Sequence, residues 1–319
     1  MKHGRSAQRG AALLVAMVVL TLVGTLAAGM IWQQARAIEV ESAERTRAQA
    51  AWILTGALDL GRVLLRVDAR TPGVDHLNEV WATQLEEASL SSLLAQDRDN
   101  NAEAAPEAFL RGRIRDAQDR YNLRNLIDPA TKKIVAAELA ALQRLCETAT
   151  VAPETAQTLA TGLQAALRAE QPGEADTEAD ADAVLLPQTV DQLVWLGLDA
   201  DSVRRLRPYV ELLPQPTPLN INTASAEVIA GVVAGLDLGS AKRIVNRRPF
   251  KTLQDARGDI QGQGALDAKR LSVNSNYFEI IGRLRMDGRV LEERMLVQRQ
   301  NRQVMVLARW RQSLQPGQD

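Results

Sequence analysis

Between Arg9 and Arg36 the chain carries no charged residue, and the run AALLVAMVVLTLVGTLAAGMIW follows the basic stretch MKHGRSAQRG. An uncharged run of that length crosses a bilayer core of about 30 Å as a helix. Past it the pattern turns amphipathic. Ile38, Ala43, Ala50, Leu54, Ala57, Leu58, Gly61, Leu64 and Leu65 recur at mostly three- and four-residue steps. Glu39, Glu41, Glu44, Arg45, Arg47, Asp59 and Arg62 occupy much of the remaining surface, as a one-sided helix requires. The two patterns together predict a single helix over residues 11 to about 67, about 85 Å long at the helical rise per residue. Thr71-Pro72-Gly73 ends it, because proline removes a donor and glycine frees the backbone.

Beyond that break the periodicity predicts a helix-compatible stretch near Asn78 to Leu94, a polar loop, and a strand over Ala108 to Ile114. Residues 132 to 170 predict alanine- and leucine-rich helices, interrupted by QPGEADTEADADA. A compact helical unit follows over about 187 to 213, with Leu193, Trp195, Leu196, Leu198, Val203, Leu206, Tyr209 and Val210 as its small core. Two further apolar stripes, Val228, Ile229, Val232 and Val233, then Ala241, Ile244 and Val245, predict a helical hairpin. Thr223 or Ser225 can cap its first helix, with Glu227 in the first turn. The C-terminal part switches to strands at Tyr277 to Met286, Arg289 to Gln298 and Gln303 to Trp310. Asp287-Gly288 makes the first hairpin turn, since both positions tolerate positive φ. In the third strand Val304, Val306 and Ala308 alternate imperfectly with Gln303, Met305, Leu307 and Arg309. Such a meander cannot bury its face alone. The amphipathic half of the first helix is the partner expected for it. The fold class expected is α+β: a long N-terminal helix packed on a small antiparallel sheet, with a large all-α insertion over roughly 116 to 270.

Composition removes several functions. The formal net charge is −1, so the whole chain does not advertise an anionic partner. Cys146 is the single cysteine and His3 and His76 are the two histidines, so there is no internal disulfide, no zinc cluster and no cysteine–histidine pair. A buried structural thiol is the expectation for Cys146. No nucleophile triad or phosphate loop is present, and no enzyme is expected.

Lys2, Arg5 and Arg9 hold the start of the chain on the cytoplasmic side. The cleavable-looking Gly10-Ala11 junction lies before the apolar run, so a cut there would leave the hydrophobic helix on the mature protein. This arrangement resembles the class III leader of type IV pilins and of the pseudopilins of type II secretion; an ordinary single-span anchor with a basic flank is the plainer alternative. The resemblance implies cleavage after Gly10 by a prepilin peptidase and methylation of Ala11. It also places Val15 at the fifth mature position, where the superfamily usually has a glutamate, and that substitution is typical of component K, the large minor pseudopilin at the filament tip. RDAQDRYNLRNL, from Arg115 to Leu126, is similar to the signature that opens the helical insertion of that family, with Asp119 in place of its glycine and Arg124 in place of its second asparagine. On the residues alone it is a polar turn entering a helix.

Asp176, Glu178, Asp180 and Asp182, together with Glu174, suggest calcium, which takes several carboxylate oxygens. The family is associated with calcium in this region, but its tryptophan-and-aspartate signature is missing, and a solvated acidic loop explains the same residues. PLNINTASAEVIAGVVAGLDLGSAKRIVNRRPF resembles a helix-hairpin-helix or SAM-like module, such as that of the periplasmic competence DNA receptor. DNA binding is therefore the competing function. Against it, Gly235-Leu236-Asp237-Leu238-Gly239 spaces its glycines two residues too far apart, and Asp237 places a negative charge where a phosphate would sit. Lys242, Arg243, Arg247 and Arg248 fit either a DNA contact or a wet helix face.

The resemblance divides the chain into a leader 1–10, a transmembrane half-helix 11–32, an amphipathic spine with the first part of a pilin-like domain 33–115, a first SAM-like unit 116–215, a second 216–271, C-terminal strands 272–312 and a tail 313–319. It implies a single-pass inner-membrane protein with its bulk in the periplasm. The partners implied are minor pseudopilins I and J, major pseudopilin G and the prepilin peptidase. The role implied is that of a cap on the periplasmic pseudopilus which helps start its assembly.

Overall fold

The computed structural model describes residues 8–71, 73–94, 107–169, 185–258 and 267–314. The chain divides into two units, Met1–Thr55 and Gly56–Asp319. The described part of the first is helix alone, the opening of α1, which runs Gln8–Asp68. Inside its apolar run, the hydroxyls of Thr21 and Thr25 donate to the carbonyls of Val18 and Leu22, each at 2.9 Å. That satisfies them without a partner outside the helix.

After α1 and a 3₁₀ turn at Val80–Ala82 come β1 (Leu85–Ser89) and the short α2 (Leu90–Leu94). The helix expected over Asn78 to Leu94 is thus mostly strand and turn. The reason is tertiary: β2 (Ala108–Asp116) offers a free edge, and β1 pairs with it antiparallel through a bulge between Leu85 and Ala88. Glu86 and Glu87 leave that new edge charged, which discourages further pairing.

The helical region then follows: β3 (Tyr121–Asn122), a 3₁₀ turn at Leu123–Leu126, α3 (Ala136–Thr148), α4 (Glu154–Ala169), a 3₁₀ stretch at Val190–Leu196, α5 (Ala200–Leu206), β4 (Val210–Glu211), β5 (Leu219–Asn220), α6 (Ala226–Val232), α7 (Leu238–Arg247), a 3₁₀ turn at Leu253–Ala256 and β6 (Leu271–Ser272). One continuous hydrophobic cluster runs from Tyr121 to Val273 and takes in α3, α4, α6 and α7. Cys146 is buried in it, and burial pushes its thiol pKa up to about 11. At the crossing of α3 and α6 the helices touch at Gly231, where a Cβ would run into the Leu145 side chain. Trp195, expected in this core, is instead 46% exposed; Val190, Leu193 and Leu196 bury the inner side of its 3₁₀ stretch.

The chain closes with β7 (Tyr277–Met286), β8 (Arg289–Gln300) and β9 (Gln303–Leu314). Asp287 (φ 49°) and Gly288 (φ 70°) make the expected tight turn. The expected three-strand meander is part of a larger antiparallel sheet of order β1-β2-β7-β8-β9.

One sheet face packs on the last turns of α1. Leu58 and Leu65 join Trp81, Phe278, Ile280, Met295, Val297 and Val304 in one cluster. Trp81 meets Phe278 edge-on, with ring centroids 5.2 Å apart. Gly61 permits the approach, since a Cβ there would stand 2.7 Å from Ile280 Cγ2. The imperfect alternation of β9 has a cause. A bulge interrupts its pairing with β8 between Leu296↔Ala308 and Val297↔Val306, leaving Leu307 unpaired. Val304 and Val306 therefore face α1, while Ala308 and Trp310 pack with Ala117, Leu213, Tyr277 and Leu296 on the opposite face.

Candidate functional site

The polar side chains that the sequence concentrates in RDAQDRYNLRNL and NINTAS meet in space, at the place where the sheet hands over to the helical region. Asp116, the last residue of β2, is fully buried and accepts four hydrogen bonds: from the Gln118 amide (2.7 Å), Ser275 Oγ (2.6 Å), Thr223 Oγ1 (2.6 Å) and Asn220 Nδ2 (3.0 Å). Burial still raises its pKa, and the four donors only partly oppose that. Asn220 also donates to the Asp75 carbonyl at 3.1 Å. Asp75 receives Arg299 Nη2 at 2.5 Å and the Ser275 amide at 2.7 Å. The same guanidinium reaches Asp68 Oδ2 at 2.6 Å and lies 4.7 Å from the Phe278 ring centre. One buried network thus ties the end of α1, the loop after it, β2, β8 and the helical region.

Around it the remaining signature residues act as braces. Gln118 donates to the Pro218 carbonyl at 2.9 Å and accepts from the Asn276 amide at 2.6 Å. Asn122 donates to the Gln215 carbonyl at 2.7 Å and accepts from the Leu213 amide at 3.2 Å. Asn222 holds Phe250 through both backbone groups, at 3.0 and 2.9 Å. The signature is therefore a joint, and more than a polar turn entering a helix. Asp68, Asp75, Ser275 and Arg299 belong to it too. Sequence reasoning missed them because each stands alone in a loop or at an element end, without a repeating pattern.

In the helical hairpin, Ser225 is the cap of α6, accepting from the Val228 amide, while the Thr223 hydroxyl is spent on Asp116. Asp237 caps α7: one carboxylate oxygen accepts from the Ser240 amide at 3.0 Å, the other from Ser240 Oγ at 2.6 Å. These bonds hold the Asp237 carboxyl below the usual range, so a charged group already sits on the amides a phosphate would use. Arg243 donates to Ser240 Oγ at 2.6 Å, and Arg247 lies over Phe250.

Gly10 and Ala11 fall within the opening of α1, and Val15 follows on its exposed surface. α1 is the one described helix long and apolar enough to cross a membrane. Trp32, with Arg36 5.6 Å from its ring centre, closes the apolar run, as amphipathic aromatics do at a headgroup boundary. Asp176, Glu178, Asp180 and Asp182 lie outside the described residues, and among the described ones no cluster of three or more metal-ligating side chains occurs. Further along α1, Leu60, Val63, Leu64 and Val67 form a second apolar stripe that the sheet leaves uncovered. Leu64 and Val67 border a cavity of about 740 Å³ with Val74, Val80 and Trp81.

Two family models match the chain, both described as type II secretion system protein K: one over residues 119–215, the other over residues 219–278. Type II secretion system protein K of Pseudomonas aeruginosa is 30% identical over 307 residues, covering 89% of this chain and 87% of that protein. The protein of the same description from Pectobacterium carotovorum is 26% identical, covering 96% and 97%. Among solved structures, a chain of the GspK-GspI-GspJ complex from the enterotoxigenic Escherichia coli type 2 secretion system superposes with a TM-score of 0.61 at 19% identity, covering 86% of this chain and 98% of that one. At that identity the likeness speaks for the fold.

Proposed function

The chain belongs to the type II secretion system protein K family and is a minor pseudopilin, and from that premise we propose that it caps the tip of the periplasmic pseudopilus and helps to start its assembly. The observation that carries this reading is the two-sided second half of α1. One side, Leu58, Gly61 and Leu65, is used by the chain's own sheet; the other, Leu60, Val63, Leu64 and Val67, is apolar and open. A stripe at that spacing suits a neighbouring helix of the same kind. Minor pseudopilins I and J are the partners proposed for it, as GspI and GspJ accompany GspK in the solved complex. Major pseudopilin G would follow below them.

In this reading the prepilin peptidase cuts between Gly10 and Ala11 and methylates Ala11. The helix then anchors in the inner membrane with the bulk of the chain in the periplasm. Val15 removes the glutamate that would meet a neighbour's amine, which suits a subunit with nothing above it. The helical region is proposed to be two SAM-like units, 116–215 and 216–271, fused on one core; the capped α6–α7 hairpin supports the second. Its bulk would block further stacking. The work is assembly, without catalysis. Family membership and the occupied Asp237 cap favour this over a DNA receptor.

Co-purification from membranes tests it. The full chain with I and J should come out as a complex, and Leu64→Asp with Val67→Asp should abolish it while leaving the chain folded; a complex that survives both changes contradicts the proposed face. The mass of the mature N-terminus should correspond to methylated Ala11. Salt-dependent duplex binding in a gel shift would favour the DNA reading instead.

A further inference from the structure

The sheet face turned away from α1 is built of arginines at alternate positions. On β2, Arg111, Arg113 and Arg115 share one side. Through the register of the strands they lie beside Arg283 and Glu279 on β7 and Arg294 and Glu292 on β8. The two glutamates are already committed. Glu279 takes Arg115 at 3.0 Å and Arg294 at 3.8 Å; Glu292 takes Arg283 at 2.9 Å and Arg294 at 2.7 Å. Arg111 rests against the side-chain amide of Gln84, and among the described residues neither it nor Arg113 has a carboxylate partner. Partial burial, then the neighbouring Arg115 and Arg294 guanidinium groups, press the Arg113 pKa down, and Glu279 and Glu292 only partly oppose them.

This face is also concave. A cavity of about 160 Å³ lies between Gln84, Arg111 and Arg113, and a second of about 500 Å³ continues from Arg113 to Arg294 and Trp310. Gln188 to Asp191 and Pro208 of the helical region wall the larger one. Arg113 lines both, and the two together make a trough that follows β2 from Arg111 to Arg115 and widens across the sheet towards β9. Side chains two apart on a strand stand about 6.8 Å apart. An extended chain bearing carboxylates at every second residue repeats at the same interval, and each carboxylate can take a charge-assisted bond from one guanidinium.

We propose that this trough is a docking site for an extended acidic peptide segment of another protein, with aspartate or glutamate at alternate positions set against Arg111 and Arg113. The reading stands apart from the assembly face on α1, which lies on the opposite side of the sheet.

Fluorescence anisotropy tests it with the full-length chain in detergent. The probe is a labelled peptide of alternating glutamate and threonine; the control has the same composition with its glutamates in one block. The alternating peptide should bind saturably, weaken as salt rises from about 50 to about 250 mM, and bind at least about tenfold more tightly than the blocked peptide. Arg111→Gln with Arg113→Gln should cost at least about tenfold in affinity in a chain that still unfolds in one cooperative thermal transition, since neither residue lies within 4 Å of a carboxylate among the described residues. Lys242→Gln with Arg243→Gln, on α7 and outside the lining of both cavities, should leave the affinity unchanged. Equal affinity for both peptides, or no loss in the Arg111/Arg113 variant, overturns the proposal.

Discussion

Asp119 is drawn by Arg115 at 3.2 Å and Arg120 at 3.6 Å, yet burial outweighs both and lifts its pKa from 3.8 to about 7. A carboxyl with a raised folded-state pKa binds more protons folded than unfolded between those two values. Stability therefore falls as pH rises from about 4 to about 7 and levels off above. Asp116 and Asp68 are shifted the same way, so they add to the slope. Asp128, Asp199 and Asp237 are shifted down and act at more acid pH. The thermal midpoint of the purified chain should thus be higher at pH 5.5 than at pH 7.5, and Asp119→Asn should flatten part of that difference; a midpoint that climbs over this range would contradict the assignment. Cys146, buried with its pKa at about 11, should resist thiol reagents at pH 8 until the chain unfolds, so its labelling rate should track unfolding. The buried thiol was legible from the absence of any partner in the sequence. The high pKa of Asp119 was not, because it comes from burial under elements distant in the chain, with Glu211 of β4 adding to it, while the local Arg115 and Arg120 pull the other way.

At the scale of elements, two glycines in α1 should answer oppositely. An added methyl at Gly56 meets nothing within 4 Å, so Gly56→Ala should stabilise by about 0.5–1 kcal/mol through helix propensity alone. At Gly61 the same methyl runs into Ile280 Cγ2. Gly61→Ala should cost about 1–3 kcal/mol by overpacking, and Ile280→Ala in the same chain should recover part of it. Denaturant unfolding of the three variants checks both, and equal effects at the two glycines would remove the case for a tight helix–sheet contact. The long helix and the terminal strands were readable because period 3.6 and period 2 both leave marks on local sequence. β1 was hidden because a five-residue edge strand carries little pattern of its own and exists through its pairing with β2. The change of face within β9 was hidden for a related reason. Val304, Val306, Ala308 and Trp310 look like one alternating side, and only the bulge at Leu307 sends the last two to the other.

For the molecule, the joint decides whether sheet and helical region behave as one body. Arg299 holds Asp68, Asp75 and the Ser275 carbonyl together, and removing one partner of a buried ion pair typically costs about 3–5 kcal/mol. Arg299→Ala should lower the thermal midpoint and expose the segments near residues 70 and 275 to protease, read by mass spectrometry of the fragments; unchanged digestion would show the network to be idle. The joint also sits where the chain departs from the sheet and returns. Asp116 pairs with Phe278, and the Ala117 amide donates to the Tyr277 carbonyl at 2.9 Å. Everything between leaves and re-enters through a doorway one peptide wide. In topology that long excursion is the loop of a β2–β7 hairpin, fastened to it by the bonds on Asp116. The register of β2 on β7 ends at Asp116 and Phe278 whatever the length of chain between them, so bulk at this end of the subunit can change wherever Asn220 and Thr223 are kept to satisfy Asp116.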